Sequence, residues 1–395
     1  MSASSGPNVE DGGLVFSIDM ANTQKSWKGA PTTNLYTGTN ASSGDQDGFG
    51  GGSFLDTNLV SSSPFNSETL YARKSNSGVA TWSVTANLTA GVTYTYSIWC
   101  KTIAWTSLDI RRNEPGTYIA ESKSVNVAPG VWTRVDFTFT VNTGKSGSQV
   151  VGVYVGNANI SQPNQGIFLY AAQLEQTSVV TSYINGTRSS TQAILDIPIG
   201  SNTLAVSNLS YANNNTFSFD GNSSYVQSTS NCAITGSITL SAIIKPSYTG
   251  QTGPHSTIIG TDAGYPYGAK LMNYKNIARY GIWLGFGGVD SFEALIDGDI
   301  NDNTIKMLTA SWNQSTGIAN IYLNGALQSS ISTAKTIPTV LLDGKITIGT
   351  DYNSIGSANK NKFLGSIYYA SIHNRALSTS EVAQNFQALR GRYGI

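Results

Sequence analysis

Residues able to do chemistry are few in this chain. It has two histidines, His255 and His373, so a Ser/His/Asp relay has little to draw on. No Cys/His cluster has zinc spacing, and no glycine run has that of a phosphate or dinucleotide loop. The nearest approach to paired carboxylates is Glu293-Ala-Leu-Ile-Asp297-Gly-Asp299-Ile-Asn301-Asp302. Gly and Asn stand there where a rigid strand face would be needed, so the string reads as a turn. Asp297, Asp299 and Asp302 do offer oxygens at the close spacing that Ca²⁺ prefers, without the EF-hand pattern. No catalytic residue and no required cofactor are assigned, and the chain is expected not to be an enzyme. The remaining chemistry is recognition, because sugar rings are held by aromatic faces with planar polar side chains around them. Trp99, Trp132 and Arg134 are expected on the polar faces of their strands, and Tyr265 and Tyr267 lie in a Gly-rich stretch. These five are the candidates for glycan or partner binding.

The elements that must hold them are strands. Val92, Tyr94, Tyr96, Ile98 and Cys100 alternate with Thr93, Thr95, Ser97, Trp99 and Lys101, a half-buried strand. Residues 131–141 repeat the pattern, with Val131, Val135, Phe137, Phe139 and Val141 inward. Arg111-Arg112-Asn113-Glu114-Pro115-Gly116 between them reads as a turn, and Arg73-Lys74, Arg111-Arg112 and Lys360-Asn-Lys362 as solvated basic pairs. Further strands follow from residue 216 onward, with Asn324-Gly325 as a type I′ hairpin signal. One helix is expected near the C-terminus: Ser378-Thr-Ser-Glu381 is a capping box, Val382, Phe386 and Leu389 form a stripe, and Gly391 suits the stop. The fold class is therefore all-β, two jelly-roll β-sandwich domains with a short C-terminal helix.

Composition sets the outer bounds. A chain of 395 residues with 12% charged residues, against about 25% in typical domains, is no coiled coil and no charge-rich disordered segment. Lys plus Arg equals Asp plus Glu at 23 each, so no global field draws a polyanion and nucleic acid is excluded as an expected partner. No apolar run approaches the ~18 residues of a membrane span. No secretory leader is visible, which points to a product made in the cytosol. Cys100 and Cys232 are expected reduced and buried.

Several runs resemble known families. Ile318-Ala-Asn-Ile-Tyr-Leu-Asn-Gly325, Lys345-Ile-Thr-Ile-Gly349 and the long run from Phe363 to Val382 are similar to the closing strands of the laminin-G-like, concanavalin A-like jelly roll. Gly13 to Asn22 resembles the first strand of that family, and Phe219-Asp220-Gly221 the strand that normally follows soon after. The part between resembles carbohydrate-binding-module-like jelly rolls, through Gly91 to Lys101, Val131-Trp-Thr-Arg134, Ala172-Gln-Leu-Glu175 and Thr181-Ser-Tyr-Ile184. The expected organisation is an N-terminal arm and first strand over 1–29, an inserted jelly roll over 30–190, and the laminin-G-like domain over 191–395. The alternative is two sequential domains preceded by an arm.

Such pairs resemble structural proteins of tailed bacteriophages. The resemblance implies a virion structural protein on the capsid, neck or tail, assembled in the host cytoplasm. It would decorate or stabilise the particle as a homo-oligomer, a trimer by analogy, beside other virion proteins and against host-surface glycans. A polysaccharide-degrading tail protein and a non-viral glycan-binding lectin are the alternatives.

Overall fold

The computed structural model describes residues 8–22, 26–29, 31–36, 53–64, 69–75, 79–156, 166–184, 186–198, 202–209, 216–247, 255–264, 267–274, 279–286, 291–300, 302–332, 341–351, 355 and 361–395. Within them the chain forms strands almost throughout. The first is β1 (Leu14–Asp19), followed by β2 (Thr32–Thr33), β3 (Ser53–Ser62), β4 (Thr69–Ser75), β5 (Val79–Leu88), β6 (Thr93–Thr102), β7 (Ser107–Glu114) and β8 (Thr117–Asn126). Then come β9 (Thr133–Thr140), β10 (Gly147–Gly156), β11 (Ile167–Glu175), β12 (Thr187–Arg188), β13 (Leu204–Ser207), β14 (Phe217–Asp220), β15 (Tyr225–Thr235), β16 (Ile238–Pro246) and β17 (His255–Gly264). The last strands are β18 (Tyr267–Tyr274), β19 (Arg279–Phe286), β20 (Ser291–Asp297), β21 (Lys306–Asn313), β22 (Ile318–Leu323), β23 (Ala326–Ser332), β24 (Leu341–Ile348) and β25 (Leu364–His373), before helix α1 (Thr379–Tyr393).

The chain divides into two compact units, Met1–Gly29 with Ser189–Ile395, and Ala30–Arg188. In the Ala30–Arg188 unit the strand orders are β5-β10-β7-β8 and β3-β4-β11-β6-β9. Period-two alternation sends Val84, Ile110, Val151 and Val153 inward from the first sheet and Tyr96, Ile98, Val135 and Leu169 inward from the second, into one apolar core. Strand β6 departs from the half-buried expectation, since Thr95 and Ser97 on its outer face are also buried. The segment after β11 folds back over them: Thr95 Oγ1 donates to the Thr177 carbonyl at 2.9 Å. The buried Glu175 carboxylate anchors that return, accepting from Gln173 Nε2 and Thr181 Oγ1 at 2.7 Å each.

Three expectations in this unit are corrected. Arg111 and Arg112 lie within β7, and only Pro115-Gly116 turns. Arg112 is 0% exposed, facing the core, where its Nη1 donates to Gln149 Oε1 at 2.8 Å and its Nη2 to Glu121 Oε2 at 3.1 Å. A buried guanidinium with carboxylate and amide acceptors is tolerated where an unpaired one would not be. Arg73 is buried as well, so neither basic pair is simply solvated. Val131, expected inward, is exposed, because β9 begins two residues later, at Thr133.

In the unit of Met1–Gly29 and Ser189–Ile395, one sheet runs β1-β25-β16-β21-β22-β23, with β14 also on β25. The other runs β13-β15-β24-β17-β18-β19-β20. Phe16, Ile18, Phe217, Phe219, Leu240, Ile282, Leu284 and Trp312 join their core. Strands β1 and β14, far apart in sequence, pair with successive parts of β25: Asp19 stands opposite Tyr369, and Phe217 opposite Ile367. Asn324 and Gly325 both take positive φ, 49° and 76°, as the type I′ hairpin between β22 and β23 requires.

Helix α1 has the expected capping box at Ser378 and Glu381. It runs past Gly391 and ends at Gly394, whose left-handed φ of 70° closes the C-terminus. Lys362, read as half of a solvated pair, is 1% exposed, its Nζ 5.1 Å from the Tyr225 ring centroid. Both cysteines are free; Cys100 is buried and Cys232 only partly so. Among the described residues, no helix is long and apolar enough to cross a membrane.

Candidate functional site

The structure brings Trp99, Trp132 and Arg134 together and leaves each of them partly exposed. On the outer face of the five-stranded sheet, Trp99 sits between Arg134 on β9 and Tyr170 on β11. Trp132 Nε1 donates to the Ser62 carbonyl at 2.9 Å, and Lys101 Nζ reaches Ser61 Oγ at 3.1 Å. In a flat sheet β3 is three strand spacings from β6 and four from β9, about 14 and 19 Å, so these bonds require the β3–β4 hairpin to curl back over the face. Leu70 and Ala72 of that hairpin pack with Phe168, Tyr170, Trp99 and Trp132. Arg134 is occupied too, its Nη2 donating to Ser97 Oγ at 3.0 Å. The cluster is a seam.

Tyr265 lies outside the described residues; Tyr267 begins β18. The acidic string is part strand, since Glu293 and Asp297 belong to β20. Two of its carboxylates take protein cations: Asp297 pairs with Arg279 at 2.6 Å, and Asp302 with Lys306. The Lys306 ammonium, helped by the Thr304 hydroxyl, holds Asp302 at about 2. Among the described residues, no three His, Cys, Asp or Glu gather as metal ligands. His373 is 0% exposed and donates Nε2–H to the Glu10 carbonyl at 3.0 Å, a packing role.

A groove that sequence reasoning missed lies on the other sheet of the same unit. The alternation that buries Leu108, Ile110 and Arg112 of β7 turns Asp109, Arg111 and Asn113 outward. On β10 it turns Val150, Gly152 and Tyr154 outward. The register aligns these side chains: Gly152 lies between Ser83 and Arg111, Tyr154 beside Asp109, and Val150 beside Asn113. Gly152 has no side chain, so the floor is open there. Tyr118, 71% exposed, and Ile119 of β8 stand at one end.

Two hollows flank Tyr154. One, of about 30 Å³, is lined by Ser83, Arg111, Asn113, Tyr118, Gly152 and Tyr154 among others. The other, of about 300 Å³, is lined by residues 104–109 and Tyr154. The Arg111 guanidinium lies over the Tyr154 ring, 3.7 Å from its centroid, and its Nη2 is 2.9 Å from Asp109 Oδ2. The Ser124 hydroxyl donates to the other Asp109 oxygen. That bond first, and Arg111 second, outweigh burial and hold the Asp109 carboxyl below its ordinary value. The groove thus presents aromatic walls, an amide, hydroxyls and a fixed guanidinium–carboxylate pair, the polar and aromatic mixture of a saccharide site. The sequence signal was the alternation Leu108-Asp-Ile-Arg-Arg112, hidden by its charges and the Pro-Gly after it.

Residues 220–383 match the model of the concanavalin A-like lectin/glucanases superfamily. Solved structures similar to the chain include the binding domain of botulinum neurotoxin serotype G, at 18% identity and a TM-score of 0.39, covering 49% of this chain and 48% of that one. The binding domain of serotype D is 18% identical, with a TM-score of 0.38 and coverages of 50% and 49%. The Ruminococcus gnavus IT-sialidase CBM40 is 14% identical, with a TM-score of 0.30, over 38% of this chain and 81% of that one. The chain spans about half the length of the two toxin domains. No curated protein matches it. The chain is an all-β protein that carries a concanavalin A-like jelly roll in its C-terminal half.

Proposed function

We propose that this chain is a non-catalytic glycan-binding protein that meets its ligand on the outer face of β7 and β10 in the Ala30–Arg188 unit. The observation that carries the reading is the groove around Tyr154, with Arg111, Asp109 and Asn113 aligned beside it. A larger hollow of about 300 Å³ falls at the lower end of the range for small-ligand sites. Binding is favoured over cleavage by the carboxylate count. Glycoside hydrolysis ordinarily uses two carboxyl groups flanking the bond, and Asp109 is the one carboxylate among the described lining residues, already committed to Arg111 and Ser124. A glycan microarray with the full chain tests this. Retained signals that Tyr154→Ala abolishes support the reading, and an empty array, or a variant that binds as wild type, contradicts it.

The setting we infer is the surface of a tailed-phage virion, where the chain decorates or stabilises the particle. Support comes from the sequence resemblance of both jelly rolls to phage structural proteins. Self-association belongs to this reading: β23 lies at a sheet edge among the described strands and carries no charged residue, whereas edge strands are commonly guarded by charge. The nesting of Ala30–Arg188 within the other unit is proposed as an insertion, supported by β1 and β14 sharing β25. Mass spectrometry of purified particles decides the setting. Copies in stoichiometric amounts support it, and absence leaves a lectin outside any virion.

A further inference from the structure

The two hollows of the groove differ in size and share one wall, Tyr154. Their lining residues on β7 run from Ser107 to Asn113, a span of about 20 Å at roughly 3.3 Å per residue. The smaller hollow has room for about one water-sized group, such as a sugar hydroxyl, and the larger has room for a ring. One monosaccharide fills one of them; a chain lying along the strands fills both.

The charge of the groove is balanced. Arg111 and Asp109 are the charged side chains among its described lining residues, and they neutralise each other at 2.9 Å. The guanidinium is further fixed by the Tyr154 ring. A carboxylate or sulfate entering here would compete with Asp109 for Arg111 and meet the Asp109 charge at close range. A neutral hydroxyl meets no such conflict, because it can donate to the carboxylate and accept from the guanidinium together.

We propose that the groove selects uncharged glycans, bound as extended chains along β7 and β10, and discriminates against acidic ones; this rests on the glycan-binding reading above. Arg111 and Asp109 act as one neutral hydrogen-bonding unit, and Tyr154 separates a ring subsite from a hydroxyl subsite.

Calorimetric titration of the full chain tests this, with mannose and N-acetylglucosamine oligomers of increasing length against galacturonic acid oligomers and heparin fragments, at low and high salt. Affinity for a neutral series is expected to rise about tenfold from monomer to tetramer and to be insensitive to salt, while the acidic probes bind at least about tenfold more weakly. Arg111→Lys, which keeps the charge and loses the planar donor set, should weaken the neutral tetramer about tenfold at unchanged melting temperature. Acidic probes that bind as tightly as neutral ones, with affinity falling in salt, overturn the selectivity, and a monomer binding as tightly as the tetramer overturns the extended mode; either leaves glycan binding intact. If none of these probes binds, or if Tyr154→Ala leaves every affinity unchanged, the glycan-binding reading falls and this proposal falls with it.

Discussion

Arg111 lies over Tyr154 with its guanidinium carbon 3.7 Å from the ring centroid, while its Nη2 bonds Asp109. Both side chains project from the sheet face away from the core, so their contact shapes a surface. Arg111→Ala should therefore leave the fold almost untouched, costing about 0.5–1 kcal/mol for a partly exposed cation–π contact and ion pair. Saccharide affinity should fall about tenfold or more, as expected when a hydrogen bond involving a charged partner is lost. Thermal denaturation and titration of one preparation check both statements.

Trp132 behaves in the opposite sense. Its Nε1–H holds the Ser62 carbonyl at 2.9 Å and keeps the β3–β4 hairpin over Trp99. Trp132→Phe should lower stability by about 0.5–1.5 kcal/mol for the lost bond, measured by urea denaturation. Saccharide titration should not change; a variant that loses glycan affinity would restore the seam as the binding surface.

His373 makes stability pH-dependent. Burial first of all holds its imidazole below the ordinary histidine value, with the Glu10 carbonyl and the Glu10 and Glu381 charges opposing and Arg375 reinforcing the effect. The unfolded chain thus takes up a proton near the ordinary value of about 6.5 while the folded chain does not. Stability is intact above that value and declines as pH falls below it, by up to about 1.4 kcal/mol per unit. Glu381, which Arg375 above all holds at about 2, loses its contribution only below the ordinary carboxylate range, so the windows separate. Urea midpoints measured from about pH 7 to pH 5 should fall in wild type and much less in His373→Phe; equal slopes would assign the effect to other groups.

Tyr393 fastens the C-terminal helix to the first strand. Its hydroxyl donates to Asp19 Oδ1 at 2.5 Å, and Arg392 Nη1 meets Oδ2 at 2.5 Å. Tyr393→Phe removes one of two donors to Asp19 Oδ1, leaving the Ala21 N–H at 3.1 Å, and costs about 1.5–3 kcal/mol for a hydrogen bond to a charged group. Proteolysis within α1 should accelerate accordingly, and unchanged resistance would show that packing and the Arg392–Asp19 pair hold the helix without the Tyr393 hydroxyl.

EDTA should not shift the melting temperature, since Asp297 and Asp302 are served by Arg279 and Lys306. A drop of several degrees would point to a bound cation stabilising the fold.

Strands with clean alternation were legible from sequence: Tyr94, Tyr96, Ile98 and Cys100 of β6 lie in the core as their spacing predicts. So was the capping box of α1. Charged strands were not. Arg111 and Arg112 sit side by side in β7, one facing solvent over Tyr154 and the other buried among Gln149 and Glu121. Charge alone suggests a turn, and only cross-strand partners from β8 and β10 make such a segment a strand. The groove escaped for the same reason, since its register depends on pairings between distant segments. Trp99 and Trp132 lie on the outer face, as the alternation predicts, but no local pattern reveals that a hairpin folds over it.

Glycan binding at the groove is tested most directly by saccharide titration of wild type against Tyr154→Ala, with melting temperatures measured alongside. Tyr154 walls both hollows, so wild type should bind with measurable affinity and a folded variant should lose about tenfold or more. Equal affinities in two equally stable proteins would contradict it.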